Sequence, residues 1–162
     1  MRSMVLIANY WIHLLAAVCW FGGIIFILFI ALPASASKAE SGGKEVMGEI
    51  AKRFGPLANW CIYILIATGA VMAWSMRPVL MENSRDIWAW VFAFKMLPVS
   101  VMVAIHFFRG LVLSGMIDRK EPGTGKARLQ KLSLDLVKVN LSLGLLVLLL
   151  SAVLSIQGQT VG

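Results

Sequence analysis

Four ionisable side chains stand inside otherwise apolar stretches of this chain. They are His13, Lys95, His106 and Arg109. An ionisable group at the centre of a membrane helix costs about 2.5–3.5 kcal/mol on insertion scales, so each of them is a candidate functional residue. Imidazole nitrogens bind iron or copper, and a cationic side chain can neutralise an acidic group of a bound cofactor. Metal or cofactor binding between helices is therefore the chemistry to consider first.

Two of these residues are spaced to share one face of a helix. Lys95 and His106 are eleven residues apart, which in an α-helix is about 1,100° of rotation and about 16 Å of rise. Their side chains therefore point within about 20° of each other. The other residues along this face are Pro98, Val99, Met102 and Arg109.

A second face precedes it near the start of the chain. Asn9, His13, Ala16, Trp20 and Gly23 recur at intervals of three and four residues, which is the spacing of one helical face. The small residues beside His13 leave room for a wide ligand. This face predicts a cofactor site in which His13 is the ligand and Asn9 and Trp20 are lining residues.

Haem b fits these features, because membrane bundles hold it with neutral imidazoles from inward-facing helix positions. We expect His13 to be the first axial ligand and His106 the second, or the ligand of a separate haem. Lys95 and Arg109 would pair with charged groups such as the propionates. The function predicted from this arrangement is electron transfer in the membrane, with quinone or a redox protein as partner.

The estimated depths of the two histidines in the membrane do not decide whether one haem or two would be bound. Counted from the outer interface, His13 and Lys95 lie about 10–14 Å deep and His106 about 27 Å deep. The two imidazoles then bind one haem only if the third helix starts lower. Alternatively, each His hydrogen-bonds a neighbouring helix, and the Lys95 ammonium snorkels to the surface.

The elements that would position these residues are apolar segments, each of the roughly 20 residues or more that cross a bilayer. Only 14% of residues are charged and 59% are hydrophobic, whereas a soluble domain carries about 25% charge. This composition excludes a soluble enzyme, and the two cysteines exclude a disulfide-built domain. We predict an all-α fold, a polytopic four-helix bundle forming a single domain over residues 1–162. The predicted spans are Met4 to Leu32, Phe54 to Met76, Trp88 to Leu113 and Leu134 to Ile156.

The connections between the spans have their own patterns. Ser35 to Gly43 is small and polar and predicts a linker. Lys44 to Phe54 spaces apolar residues four apart, which predicts a short amphipathic helix at the cytoplasmic surface before span 2. Glu121 to Gly125 predicts a turn. Three tryptophans are expected at the outer interface, namely Trp74, Trp88 and Trp90.

The net charge of +7 is best explained by membrane topology. Nine basic residues fall in the loops 33–53 and 114–133, against three on the other side of the spans. Positive loops stay in the cytoplasm, so we expect a cytoplasmic-membrane protein with both termini outside. Because the basic residues flank apolar spans, nucleic acid is not an expected partner.

The first and second spans resemble those of a known membrane family. Asn9 to Gly23 reads NYWIHLLAAVCWFGG and precedes Pro33, and it is similar to the first span of CopD-like proteins, which carry His-Leu-Leu-Ala, Trp-x-Gly-Gly and a later Pro. Arg53-Phe54 leading into Thr68-Gly69 resembles their second span. The likeness implies a four-helix membrane fold and copper handling.

The third span is similar to that of the related HemJ-type protoporphyrinogen oxidases, through Phe94 to Leu97 and His106-Phe107. That resemblance implies bound haem b, with His13 and Lys95 as key groups. The family's Pro-Arg-Leu-Phe-Val-Tyr-His run is replaced here by Phe29 to Pro33, and its Asn-Glu pair by Asn140-Leu141. Without that Arg, His and Glu, the sequence does not indicate porphyrinogen oxidation, and it leaves open whether the chain is a membrane oxidoreductase.

Two alternatives to haem binding remain. Copper transport is the first, because thioether sulfur suits Cu(I), although Met also fills gaps in apolar cores. The second is a subunit without a cofactor, in a homo-oligomer or a larger membrane complex. Cys19 and Cys61 are interpreted as small apolar residues without a role. The candidate thioether ligands are Met72, Met76, Met81, Met96 and Met102.

Overall fold

The computed structural model describes residues 2–37, 42–82 and 87–160, nearly all of them helical. The chain forms two compact units, Met1–Val79 and Leu80–Gly162, and each is described by itself. The helices are α1 (Arg2–Phe26), a π-helical segment (Ile27–Ala31), α2 (Leu32–Ser37), α3 (Gly43–Glu82), α4 (Ile87–Phe107), a second π-helical segment (Phe108–Leu113), α5 (Ser114–Asp118) and α6 (Thr124–Thr160).

Four helical stretches within the described residues are long and apolar enough to cross a membrane. They confirm the prediction of an all-α, multi-pass membrane protein. Many large apolar side chains are exposed, for example Trp11, Trp60 and Leu111, as expected where lipid rather than water is the solvent. The four stretches are Ser3–Ser37, Glu45–Arg77, Trp90–Asp118 and Thr124–Ile156.

In the first unit, α1 and α3 pack as an antiparallel hairpin. His13 contacts Thr68, and ten residues further along α1 a Cβ on Gly23 would overlap the ring of Phe54. Residues later in α1 thus contact residues earlier in α3, which shows that the two helices are antiparallel. Because only a hydrogen fits at Gly23, the ring of Phe54 packs directly against the backbone of α1 at this level.

In the second unit, α4 and α6 form another hairpin, joined by a turn over residues 119–123. Met102, His106 and Asn140 are buried at the centre, and Leu113 is only 1% exposed. Arg109 Nε donates a hydrogen bond to Ser133 Oγ on α6 at 3.2 Å. The turn lies where Glu121 to Gly125 predicts one, except that α6 already begins at Thr124.

The prediction of a linker starting at Ser35 is wrong for its first three residues. Ser35 to Ser37 belong to α2. Ser35 Oγ donates to the carbonyl of Leu32 and Ser37 Oγ to that of Ala34, both at 2.9 Å. Serines bonded in this way to the preceding turn are compatible with a helix. Residues 38–41 lie outside the described part of the chain.

The segment predicted as a short amphipathic helix is helical but not separate. Residues 44–54 are the beginning of α3, which continues without interruption into the second span. Gly42, at φ 90°, accepts hydrogen bonds from the amides of Glu45 and Val46 and so starts the helix. The left-handed backbone that this start requires is readily adopted by glycine.

The tryptophans predicted at the outer interface are only partly described. Trp74 is 72% exposed and Trp90 is 69% exposed, which suits contact with lipid or headgroups. The side chains of Trp88 and Met81, and all of Arg85, lie outside the described residues.

Candidate functional site

Three polar side chains meet in the first unit between α1 and α3. His13 Nδ1 lies 2.7 Å from Thr68 Oγ1, and Asn9 Nδ2 donates to the Thr68 carbonyl at 3.1 Å. Thr68 is 8% exposed. We call Asn9, His13 and Thr68 the polar cluster. Hydrogen bonding across helices is what the sequence left open for His13, and it occurs at Nδ1.

The hydrogen bonds of Thr68 bear on the tautomer of the His13 imidazole. The Thr68 hydroxyl donates to the carbonyl of Ile64 at 2.6 Å, as a helix-interior threonine commonly does. A hydroxyl has a single proton, and in the arrangement in which Thr68 gives it to Ile64, Thr68 Oγ1 accepts the proton of His13 Nδ1–H. In the neutral ring, Nε2 then carries the lone pair. This is the tautomer in which a histidine binds a metal while its other nitrogen is held by an oxygen.

Small residues surround the polar cluster. A Cβ on Gly69 would lie 3.6 Å from His13 Cε1, so the ring edge faces the backbone of α3. Ala16 and Trp20, on the same face of α1, are 5% and 4% exposed. Trp20 lies seven residues, or about 10 Å, further along the helix than His13. The structure therefore places Asn9 beside His13, and Trp20 two turns away.

The other predicted residues lie in the second unit. His106 is 8% exposed, and its ring meets that of Phe107 edge to face, with 5.6 Å between centroids. Arg109 lies one turn beyond and is bonded to Ser133. Lys95 is half-buried, about three turns away from His106. Lys95 and His106 belong to the more buried side of α4, and Arg109 lies in the π-helical segment that follows it.

His13 and His106 belong to different units, so a haem shared by them stays a prediction. Within the described residues, no group of three or more His, Cys, Asp or Glu side chains is placed to hold a metal ion. A metal bound here would thus need either few ligands or ligands of other types.

Two residues of interest were not among the predicted site residues. Thr68 is the partner of both Asn9 and His13. Two signals were available for it, a hydroxyl in an apolar span and the Thr68-Gly69 pair that resembles CopD-like proteins. Asn140 on α6 is 2% exposed, and its Oδ1 accepts no hydrogen bond within the described part of the chain. In the sequence, Asn140 was noted only because Asn140-Leu141 replaces the Asn-Glu pair of the HemJ-type proteins.

A comparison with protein families gave one match. The family model of copper resistance protein D (CopD) matches residues 48–154, about two-thirds of the chain. The chain belongs to the CopD family. This confirms the CopD resemblance, whereas no comparison supports the HemJ-type one. Neither the curated proteins nor the solved structures gave a match. The CopD match includes Thr68 and His106 but begins after His13.

Proposed function

We propose that this CopD-family protein handles copper inside the membrane and that His13 is one of its ligands. The observation that carries the proposal is the hydrogen-bond chain from His13 Nδ1–H through Thr68 Oγ1 to the Ile64 carbonyl. It presents the imidazole in its metal-binding tautomer within an apolar span. Copper is the cargo of this site.

The family favours copper over haem. Its description names copper resistance, and none of the comparisons supports haem b, iron or electron transfer. Imidazole and thioether groups are both ligands that suit copper. A univalent copper ion also carries the smallest charge into the apolar span, where each unit of charge is costly.

Met72 is the thioether best placed to assist His13. It lies one turn beyond Thr68 on α3, rotated by about 40°, and is half-buried. In the antiparallel hairpin this turn is level with Asn9. Met72 is therefore the candidate second ligand among the five methionines considered. Two ligands hold copper loosely enough to release it, which suits transfer rather than storage.

The proposal is tested by titrating the purified full-length protein anaerobically with Cu(I) in the presence of a competing chelator. We expect Cu(I) binding that weakens in His13→Ala and in Met72→Leu. His106→Ala is the matched control, because it removes the other histidine, in the second unit, and should bind Cu(I) as the unaltered protein does.

An optical spectrum of the same preparations tests haem b directly. We expect no Soret band and no pyridine haemochrome. Protein that binds no Cu(I) but shows a Soret band that is lost in His13→Ala would overturn copper handling in favour of haem.

A further inference from the structure

The two cysteines of the chain line one groove in the first unit. Cys19 is on α1 and Cys61 on α3, and both are free thiols. The groove is open, has a volume of about 300 Å³, and is otherwise walled by apolar side chains that include Ile12, Leu15 and Leu57. Cys61 is 4% exposed, whereas Cys19 is exposed. Cys61 is thus the more buried of the two cysteines that line the groove.

The register of the hairpin places the two sulfurs at the same level. Cys19 is six residues beyond His13 on α1, and Cys61 is seven residues before Thr68 on α3. Since His13 contacts Thr68 and the helices run in opposite directions, these offsets correspond to rises of about 9 and 10.5 Å.

The composition of the groove restricts which metal could bind there. Thiolate sulfur is a soft ligand that selects Cu(I) among the available ions, and Cu(I) is satisfied by two thiolates in a linear arrangement. Zn(II) in a structural site takes four ligands, and no described group offers even three. The magnesium and calcium ions require oxygen ligands, which the described lining residues lack as side-chain groups.

We propose that Cys19 and Cys61 form a Cu(I) site, one level further along α1 than His13. The proposal rests on the copper-handling function proposed above and adds a second, tighter position to it. Binding forms two Cu–S bonds and releases the two thiol protons to solvent. The copper stays Cu(I), so no electron donor or acceptor is required. The His13 site and the Cys19–Cys61 site then bind the same copper ion one after the other.

The experiment is an anaerobic Cu(I) titration of the reduced, full-length protein, followed by the near-ultraviolet Cu(I)–thiolate absorption and by X-ray absorption at the copper edge. We expect two sulfur ligands and a thiolate band in the unaltered protein. Cys19→Ser and Cys61→Ser should each abolish the band. His106→Ala is the control that should retain it, since His106 lies in the second unit and is not among the proposed copper ligands.

A second measurement tests the geometry without copper. A short bifunctional thiol reagent added to membranes should link Cys19 to Cys61 within one chain, and neither single serine variant should be linked. If the reagent does not link the two cysteines in the unaltered protein, the inference that they lie side by side in the groove is wrong.

The possible failures of the two proposals differ. Cu(I) binding without a thiolate band, and unchanged in both serine variants, would overturn the cysteine site and leave copper handling in place. Protein that binds no Cu(I) at all would overturn both. A retained band together with undiminished total binding in His13→Ala would support the cysteine site and remove His13 as a ligand.

Discussion

At the scale of single residues, the hydroxyl of Thr68 links the backbone of α3 to the chemistry of His13. Its proton is given to the Ile64 carbonyl, and its oxygen receives the proton of Nδ1. The imidazole is thereby fixed in orientation and in tautomer before any ligand arrives. A group that only holds a metal ligand in this way commonly affects metal affinity by about 10–100-fold.

Replacing Thr68 by Val should therefore weaken Cu(I) binding by about 10–100-fold. Valine has nearly the same shape but leaves His13 Nδ1–H without its acceptor. Thr68→Ser keeps the hydroxyl and is the matched control, expected to bind as the unaltered protein does. The measurement is the Cu(I) dissociation constant from chelator competition, made in a Cys19→Ser, Cys61→Ser background so that the tighter thiolate site does not dominate it. Equal constants for the valine and serine variants would contradict this role for Thr68.

Unlike Thr68 Oγ1, the buried Oδ1 of Asn140 accepts no hydrogen bond within the described residues. Leaving such a group unsatisfied costs about 1–3 kcal/mol. We expect Asn140→Leu to raise the free energy of unfolding by about 1 kcal/mol, measured by denaturation in detergent. Ser142→Ala, at an exposed position on the same helix, should change it by less than about 0.5 kcal/mol. A destabilised Asn140→Leu would instead mean that the amide oxygen bonds a group absent from this structure.

At the scale of elements, the packing of α3 against α1 depends on one glycine. The ring of Phe54 occupies the space where a Cβ of Gly23 would be, whereas nothing lies within 4 Å of a Cβ built on Gly22. The neighbouring glycines therefore have different roles, although both belong to the Trp-x-Gly-Gly pattern. The contact at Gly23 sets the register on which the polar cluster depends.

Gly23→Ala should destabilise the protein by about 1–3 kcal/mol, since an overpacked contact must displace Phe54 or separate the helices. Gly22→Ala is the control and should be neutral or slightly stabilising, because alanine favours the helix over glycine. The readout is Tm from the loss of helical circular dichroism. If Gly23→Ala is destabilised, Phe54→Leu should recover part of the loss by making room, and no recovery would argue against the contact.

The elements were predictable where one short-range pattern determines them. Long apolar runs gave the four spans, and the three-and-four spacing of Asn9 and His13 gave their shared face. Ser35 to Ser37 were missed because small polar residues usually indicate a linker, and their bonds to the preceding carbonyls depend on the helix already being formed. The contact of His13 with Thr68 and the groove shared by Cys19 and Cys61 depend on the register between two helices. The periodicity of residues within one helix carries no information about that register.

At the scale of the whole molecule, the distribution of charge bears on orientation in the membrane. The clusters of basic residues lie in the segments 33–53 and 114–133, at the same end of successive spans. The positive-inside tendency predicts that these segments lie in the cytoplasm. The polar cluster would then lie nearer the outer surface than the two cysteines do.

Fusion of reporters to the C-terminus tests this orientation. We expect a C-terminal alkaline phosphatase to be active and a C-terminal green fluorescent protein to be dark, as for a terminus outside the cytoplasm. The same fusions placed after residue 123, in the second basic loop, serve as the control and should give the reverse pattern. A fluorescent C-terminal fusion would contradict the predicted topology. The Cys19–Cys61 site would then lie nearer the outer surface than the His13 site.

The two π-helical segments bear on how the lengths of related chains can vary. Ile27–Ala31 follows α1 and Phe108–Leu113 follows α4, and a π turn is equivalent to an α-helix that has gained a residue. Deleting one residue from such a segment restores ordinary α-helix, and the residues on either side keep their helical faces. The hairpin contacts made before the segment, such as His13 with Thr68, are left as they were. Single-residue gaps among family members are therefore best tolerated at these two places.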